Sequence, residues 1–222
     1  MRKLTAFVMI LMLAVTSHAM AQNKVYIEQE GNSNNIDITQ VGNGNKVGDS
    51  GSIATITGNN NAVTTIQTGN TNTINYNITG NNNTATKTIT GDGNTNTTAL
   101  GDTITSATNV TTTTTITGDT NTVTKTITGD TINSALTIQG NTNAVTQTIT
   151  SNDSNSTINI LGDLNTITST MSGDTAGGGH QLVMGVTGTS NQYTVVQAGT
   201  VDTTVNITTN GSSNTVSVTT GN

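Results

Sequence analysis

Residues 116–123 read ITGDTNTV and residues 138–145 read IQGNTNAV, so one eight-residue pattern returns after 22 positions. The glycine in each copy belongs to a series that recurs every eleven residues over most of the chain. Asn usually stands three positions after the glycine, and an apolar residue often stands five after it. A fixed short period predicts a solenoid, in which each repeat packs on its neighbours. The predicted turn glycines are Gly31, Gly42, Gly58, Gly69, Gly80, Gly91, Gly118, Gly129, Gly140, Gly162 and Gly173.

The residues between two of these glycines alternate in polarity. Residues 123–128, VTKTIT, place threonine on one parity and mostly apolar side chains on the other. Period-two alternation of this kind predicts a half-buried strand. Gly-x-x-Asn predicts a turn, since Gly and Asn both tolerate positive φ. The absence of proline suits strands that pair on both edges.

The position seven residues after each glycine predicts that two such units form one rung. It alternates between apolar and polar residues, as in Leu136, Gln147, Ile158 and Ser169. Alternation at eleven residues gives a true period of 22, which predicts strand-turn-strand-turn rungs. We therefore predict one all-β domain over residues 22–222, a two-sheeted parallel β-solenoid of eight or nine rungs. The interruptions at 42–58, 91–118 and 173–188 are interpreted as loops that bulge from corners.

Two lysines fit this pattern badly. Lys87 and Lys125 share the parity of the apolar residues and should point inward. An unpaired ammonium group is costly to bury, so a strand end or an outward bulge is the alternative to an inward position for each. The pattern alone leaves their orientation open.

The first 21 residues predict a secretory signal peptide. Arg2 and Lys3 precede an apolar stretch, which ends in Ala19-Met20-Ala21. Charged, apolar and small-x-small segments in this order are typical of such a leader, and the stretch is short for a membrane span. A secreted chain without cysteine, and without a membrane span, is the expectation.

Composition argues against several classes of function. After residue 21, four lysines remain against twelve acidic residues, a net charge of −8 (4 − 12). Nucleic-acid binding needs clustered Lys or Arg, so no nucleic-acid partner is expected. A disordered polar tract is an alternative for a chain this rich in Asn, Thr and Gly. However, the strict period with Ile and Val in register is foreign to disordered chains.

No catalytic constellation is evident, and we expect neither an enzyme nor a cofactor. His180 is the only histidine after residue 21 and is interpreted as a loop residue beside a glycine run. Five Gly-Asp pairs, the aspartates being Asp92, Asp119, Asp130, Asp163 and Asp174, could stack into a calcium-binding column. Their period of eleven differs from that of calcium-binding solenoid repeats, so turn aspartates are the preferred interpretation and no metal site is expected.

The most regular repeat lies at the start of the folded domain. Residues 29–45 read QEGNSNNIDITQVGNGN, that is Gln-x-Gly-x-x-Asn-x-Ile-x-x-x-Gln-x-Gly-x-x-Asn. This segment resembles the curlin repeat of bacterial curli fibre subunits. The resemblance implies a β-solenoid of ~22-residue rungs that polymerises end to end as a functional amyloid. Later repeats share the rhythm, with Ile in place of Gln at most equivalent positions.

In a parallel in-register stack, an Asn or Gln amide bonds the same amide in the rungs above and below, which forms a ladder. Exposed strand edges at each end then template the next subunit. No obvious cap is evident at either end. We expect the asparagines to form one ladder at one corner of the solenoid. The predicted stacking and assembly residues are Gln29, Asn34, Gln40, Asn45, Asn61, Gln67, Asn72, Asn83, Asn94, Asn121, Asn143 and Asn165.

The leading hypothesis is a secreted structural protein that forms curli-like fibres in a cell-surface matrix or adhesive layer. Its expected partner is itself, as an end-to-end homopolymer, and the glutamine-rich start suggests docking onto a second curlin-type subunit. The alternative is a monomeric ice-binding protein, because outward threonine rows resemble the ice-binding face of β-solenoid antifreeze proteins. These rows are Thr86, Thr88 and Thr90; Thr124, Thr126 and Thr128; Thr146, Thr148 and Thr150; and Thr168, Thr170 and Ser172.

Overall fold

The computed structural model describes residues 22–101, 107–173 and 179–221, and every regular element in these ranges is a β-strand. The predicted signal peptide, Asp174 and parts of two interpreted loops lie outside them. The strands form two parallel sheets stacked as a β-solenoid of about eight turns, which confirms the predicted fold class.

Eight strands form the short sheet. They are β3 (Asn35–Val41), β6 (Ala62–Thr68), β8 (Thr84–Thr90), β11 (Thr111–Thr117), β13 (Asn133–Gln139), β15 (Asn155–Leu161), β17 (Gln181–Thr187) and β19 (Thr204–Asn210).

Twelve strands form the long sheet. They are β1 (Lys24–Val25), β2 (Ile27–Glu30), β4 (Lys46–Val47), β5 (Ala54–Thr57), β7 (Thr73–Asn81), β9 (Thr95–Leu100), β10 (Ala107–Thr108), β12 (Thr122–Ile127), β14 (Ala144–Ile149), β16 (Thr166–Ser172), β18 (Gln192–Ala198) and β20 (Thr215–Thr220). Three levels are split between two short strands each: β1 with β2, β4 with β5, and β9 with β10. The twelve strands therefore occupy nine levels.

The register between neighbouring strands reproduces the sequence period. Val123 pairs with Val145 and Val145 with Ile167, a step of 22 residues each time. The step grows to 27 where Thr95 pairs with Thr122 and to 26 where Thr166 pairs with Gln192, because extra residues are inserted in these turns of the solenoid. Pairing remains parallel across the insertions, so the solenoid keeps its phase.

Alternate residues of each strand face a thin core between the sheets. Ile116, Ile127, Ile138 and Ile149 are fully buried, whereas the threonines between them face solvent. Inward residues of the terminal strands, such as Ile38 and Val218, are only partly buried. The core is therefore closed along the solenoid and open at its two described ends.

The first insertion corrects the prediction that loops bulge from corners. Residues 48–53 leave the long sheet between β4 and β5, which pair with the same continuous strand β7. The bulge thus lies in mid-sheet, where a bridge between Asp49 and Ser52 closes it. Lys46 Nζ lies 3.0 Å from Asp49 Oδ2, and hydrogen bonds from Lys46, Gly51 and Ser50 lower the pKa of Asp49 to about 2.

The other two interpreted loops include residues 102–106 and 174–178, which lie outside the described residues. They connect β9 to β10 and β16 to β17.

Candidate assembly surfaces

One corner of the solenoid carries an unbroken ladder of asparagines. This continuous corner joins each short-sheet strand to the next long-sheet strand, and its eight turns all read Gly-x-x-Asn: residues 42–45, 69–72, 91–94, 118–121, 140–143, 162–165, 188–191 and 211–214. The ladder runs through Asn23, Asn45, Asn72, Asn94, Asn121, Asn143, Asn165, Asn191 and Asn214.

Each buried asparagine in this ladder binds the level before it and the level after it. The Asn143 side-chain amide donates to Asn121 Oδ1 at 3.0 Å and to the Gly162 carbonyl at 2.8 Å. Its own Oδ1 accepts the Asn165 backbone N–H at 2.9 Å. One side chain thus satisfies donors and acceptors that the turn would otherwise bury unpaired.

The opposite corner, the irregular corner, carries only a short ladder. Asn34, Asn61 and Asn83 stack there, and Asn83 Oδ1 then accepts the Val110 backbone N–H. Val110, Ile132, Ser154, His180 and Thr203 take the equivalent position in later levels. The prediction of a single ladder at one corner is therefore wrong, because successive half-repeats turn at opposite corners and supply two separate columns.

The prediction of positive φ in the turns is confirmed for the glycines but not for the asparagines. A second positive-φ residue stands two positions after the glycine in ten of the eleven predicted turns, for example Thr142 at φ 58° and Leu164 at φ 59°. The ladder asparagines three positions after the glycine do not have positive φ. Asn therefore occupies that position for its side-chain hydrogen bonds and not for its backbone freedom.

The turn glycines allow successive turns to approach closely. A Cβ placed on Gly140 would lie 2.0 Å from the Gly162 carbonyl oxygen, and φ is +141°. All eleven predicted turn glycines have positive φ. For nine of them a Cβ would lie within 2.1 Å of a carbonyl oxygen of the next level: Gly31, Gly42, Gly58, Gly69, Gly80, Gly91, Gly118, Gly140 and Gly162. A Cβ on Gly129 or Gly173 would have its nearest neighbour at 2.8 Å.

The predicted glutamine ladder is short. Gln40 donates to Gln67 Oε1 at 2.7 Å, and the Gln67 amide donates across the continuous corner to the carbonyls of Lys46 and Asn72. Gln29 pairs in register with Ile56 and not with another glutamine. Gln29 therefore has no glutamine to stack on within the chain, because the next level supplies an apolar side chain, and its role in assembly stays a prediction.

A second, exterior ladder on the continuous corner was not anticipated. The residue directly after each glycine accepts the backbone N–H of its counterpart one level earlier, as in Asn70 to Asp92 and Asp92 to Asp119, at 2.6 and 2.7 Å. The recurrence of Asn or Asp at this position could have indicated it. Asn141 accepts the backbone N–H of Asp119, and Asp163 accepts that of Asn141. An asparagine therefore stands between these two aspartates in the ladder. Asp130 lies at the irregular corner, so the aspartates do not form one column.

Both doubtful lysines point into the core. Lys87 and Lys125 are each 1 % exposed. The Lys87 amino group donates to the Asn75 carbonyl at 3.2 Å, and that of Lys125 donates to the Thr113 carbonyl at 2.9 Å and to Thr112 Oγ1 at 3.2 Å. No carboxylate is buried among the described residues. Their orientation, which the sequence left open, is therefore inward, and each amino group finds a hydrogen-bond acceptor in the opposite sheet.

Burial controls the charge of these lysines. Desolvation, followed by repulsion from Lys125, lowers the pKa of Lys87 well below its usual value. Desolvation lowers the pKa of Lys125 to about 7. Desolvation also raises the pKa of Tyr76, whose ring lies beside Lys87. The middle of the core is therefore polar and disfavours charge.

His180 lies outside the strands, as interpreted, but its side chain is fully buried. Its Nε2 lies 3.0 Å from the Ser172 carbonyl, and its Nδ1 lies 3.0 Å from Thr203 Oγ1. Gln197 donates to the same threonine hydroxyl at 3.0 Å. These bonds hold the irregular corner closed between β16 and β19. No group of three or more potential metal-ligating side chains occurs within the described ranges.

The threonine rows divide between the two sheets. Thr124, Thr146 and Thr168 pair in register on the outer face of the long sheet, and so do Thr126, Thr148 and Thr170. Thr86 and Thr88 face outward from the short sheet. The long sheet therefore presents a Thr-x-Thr array over three consecutive levels. The predicted row of Thr86, Thr88 and Thr90 lies on the short sheet, at the opposite face of the solenoid.

The described ends of the solenoid present unpaired strand edges. β1, β2 and β3 are outermost at one end, and β19 and β20 at the other. Gln29, Asn34 and Gln40 belong to the first of these ends and are half-buried. An unpaired edge over a partly exposed apolar core is suited to pairing with another strand. In the described part of the chain, no helix is long and apolar enough to cross a membrane.

No protein-family model matches the sequence, and searches of curated proteins and of solved structures gave no match.

Proposed function

We propose that this chain is a secreted structural subunit that assembles end to end into curli-like amyloid fibres of a cell-surface matrix. The main support for this proposal is that the core is open at both described ends of the solenoid. Ile36 and Ile38 at one end, and Val216 and Val218 at the other, face inward but remain partly exposed. Adding a further level at either end buries these side chains and pairs the strand edge. The in-register asparagine ladder can continue through such a junction.

The signal-peptide-like first 21 residues and the curlin-like segment 29–45 add support from the sequence. The proposed partner is another copy of the chain. A second curlin-type subunit is the candidate for starting a fibre, with the N-terminal levels as its docking end. Comparing the full mature chain with a chain that lacks residues 23–47 tests this polarity, since unchanged co-assembly with such a subunit contradicts it.

Incubation of the purified chain from residue 22 tests the fibre proposal. Thioflavin fluorescence should rise, and fibre diffraction should show a ~4.7 Å reflection along the fibre axis. Changing Gln29, Asn34 and Gln40 to alanine should slow assembly, whereas the matched control Thr148→Ala on the outer face should not. A chain that remains monomeric for days, without this reflection, contradicts the proposal.

Ice binding is the second candidate, favoured by the Thr-x-Thr array of β12, β14 and β16. A flat hydroxyl array on a monomer should produce thermal hysteresis, and Thr148→Tyr should abolish it by roughening the face. The fibre proposal expects no hysteresis and unchanged sedimentation of polymer for Thr148→Tyr, because that side chain points away from the strand edges. A freezing assay and a sedimentation assay on the same two proteins separate the candidates.

A further inference from the structure

The described solenoid begins and ends in the same sheet. Its first strands, β1 and β2, and its last strand, β20, all belong to the long sheet. The long sheet therefore has nine levels and the short sheet eight, so the described solenoid contains an odd number of half-levels. Each end is a step, in which the long sheet projects half a level beyond the short sheet.

Two such steps do not fit together in the same orientation. If the next copy places β1 and β2 directly on β20, its β3 lies two levels from β19, ~9.6 Å instead of the usual ~4.8 Å. The facing edges of β3 and β19 would then stay unpaired. Rotation of the next copy by half a turn about the solenoid axis places β1 and β2 on β19, and β3 on β20. Every edge strand then has a neighbour at ordinary spacing.

Because each eleven-residue half-repeat has the same pattern, the rotated junction stacks side chains of the same type on one another. It stacks Asn34 on Asn214, Ile36 on Val216 and Ile38 on Val218, since these residues hold equivalent positions in their half-repeats. Within the chain, Asn214 donates to Asn191 Oδ1 at 2.9 Å. In the rotated junction the Asn34 amide continues the ladder on Asn214 Oδ1, as Asn61 does on Asn34. Apolar side chains meet apolar side chains, and an amide meets an amide.

We propose that successive copies in the fibre are related by a half turn about its axis, so that the axial repeat contains two copies. This inference rests on the proposed fibre function. The seventeen half-levels of one copy correspond to about eight and a half levels along the axis. At ~4.8 Å per level, one copy adds ~41 Å, and the repeat of two copies is ~82 Å. The continuous corner then alternates between opposite sides of the fibre from copy to copy.

Paired cysteines test the junction, because the chain has no cysteine of its own. Thr219 in β20 is exposed, as are Thr39 in β3 and Glu28 in β2, which are eleven residues apart. The rotated junction places Thr219 of one copy beside Thr39 of the next. The unrotated junction places it beside Glu28 instead. In-register neighbours in a sheet are within the Cα separation that a disulfide needs.

The two double variants are Thr219→Cys with Thr39→Cys and, as the matched control, Thr219→Cys with Glu28→Cys. Fibres of each are oxidised, dissolved in denaturant and run on a non-reducing gel. We expect an intermolecular ladder of cross-linked species from the first variant and at least a tenfold weaker ladder from the control. Equal cross-linking, or stronger cross-linking in the control, overturns the half-turn relation while fibres still form. Absence of fibres from the unsubstituted chain overturns the proposed function and this inference with it.

Discussion

The amino group of Lys87 lies 4.3 Å from the centre of the Tyr76 ring, inside the core. Contact with the face of an aromatic ring stabilises a cation by roughly 0.5–2 kcal/mol, which is small beside the cost of desolvating it. The Tyr76 hydroxyl has no hydrogen-bond partner among the described residues. This part of the core therefore contains buried polar groups that are not all satisfied by hydrogen bonds.

Replacement of both buried lysines by methionine should stabilise the fold. Met preserves the unbranched stem and removes the group that must be desolvated, so Lys87→Met with Lys125→Met should gain about 1–4 kcal/mol at pH 7, comparable to other replacements of buried charge. Urea unfolding followed by circular dichroism measures it. Lys24→Met, at an exposed site, is the control and should change little. A destabilised double variant would mean that the amino-group hydrogen bonds outweigh their desolvation.

The same lysines predict a pH dependence. An unfolded lysine has a pKa near 10.5, and burial lowers that of Lys125 to about 7. Between these values the unfolded chain binds more protons than the folded one, so stability should rise with pH from about 7 towards 10.5. Urea midpoints at pH 7, 8 and 9.5 should therefore increase for the wild type. The double methionine variant should lack this slope, and retention of the slope would assign it to other groups.

The ladder asparagine Asn143 should be far less tolerant of substitution than an exposed asparagine. Asn143→Ala leaves the buried Asn165 N–H and the Gly162 carbonyl without their side-chain partner. Each buried group left unsatisfied costs about 1–3 kcal/mol, so a loss of roughly 2–5 kcal/mol is expected in urea unfolding. Asn155→Ala, on the exposed face of β15, is the matched control and should stay within about 0.5 kcal/mol. Similar losses for the two variants would refute an energetic role for the ladder.

Gly140 and Gly185 provide a second matched pair. Gly140→Ala would place Cβ 2.0 Å from the Gly162 carbonyl, whereas a Cβ on Gly185 meets nothing within 4 Å. We expect Gly140→Ala to prevent normal stacking of the 140–143 and 162–165 turns, seen as a loss of most cooperative unfolding. Gly185→Ala, within strand β17, should be neutral or slightly stabilising because alanine reduces the freedom of the unfolded chain. Cooperative unfolding of Gly140→Ala at an unchanged midpoint would contradict the close approach.

The sequence predicted the architecture because its two signals are local. The glycine period and the alternation in segments such as 123–128 set the turns and the inward parity without reference to distant residues. Assigning ladders needed three-dimensional information. Asn34 and Asn45 are both three residues after a glycine, yet they stand at opposite corners, since every half-repeat reverses the chain direction.

The lysine orientation required knowledge of what lies across the core. The position equivalent to Lys87 in the following long-sheet strand holds Thr98, and that equivalent to Lys125 in the preceding short-sheet strand holds Thr114. A long side chain opposite a small one fills the core without overpacking it. Parity correctly indicated an inward side chain, whereas the desolvation argument, which neglected the carbonyls of the opposite sheet, did not.

The partly buried core residues of β3 provide a direct test of the assembly end. Ile38 faces inward at the outermost short-sheet level and Thr39 faces solvent beside it. Ile38→Lys places a charge where the next copy would bury an apolar side chain, so elongation should be slowed at least tenfold in thioflavin assays. Because Ile38 is only partly buried in the monomer, the Ile38→Lys variant should retain the circular dichroism spectrum of the unsubstituted chain. Thr39→Lys should elongate nearly normally, since its side chain lies outside the junction core. If Ile38→Lys folds and elongates as fast as Thr39→Lys, the N-terminal edge is not the surface on which copies stack.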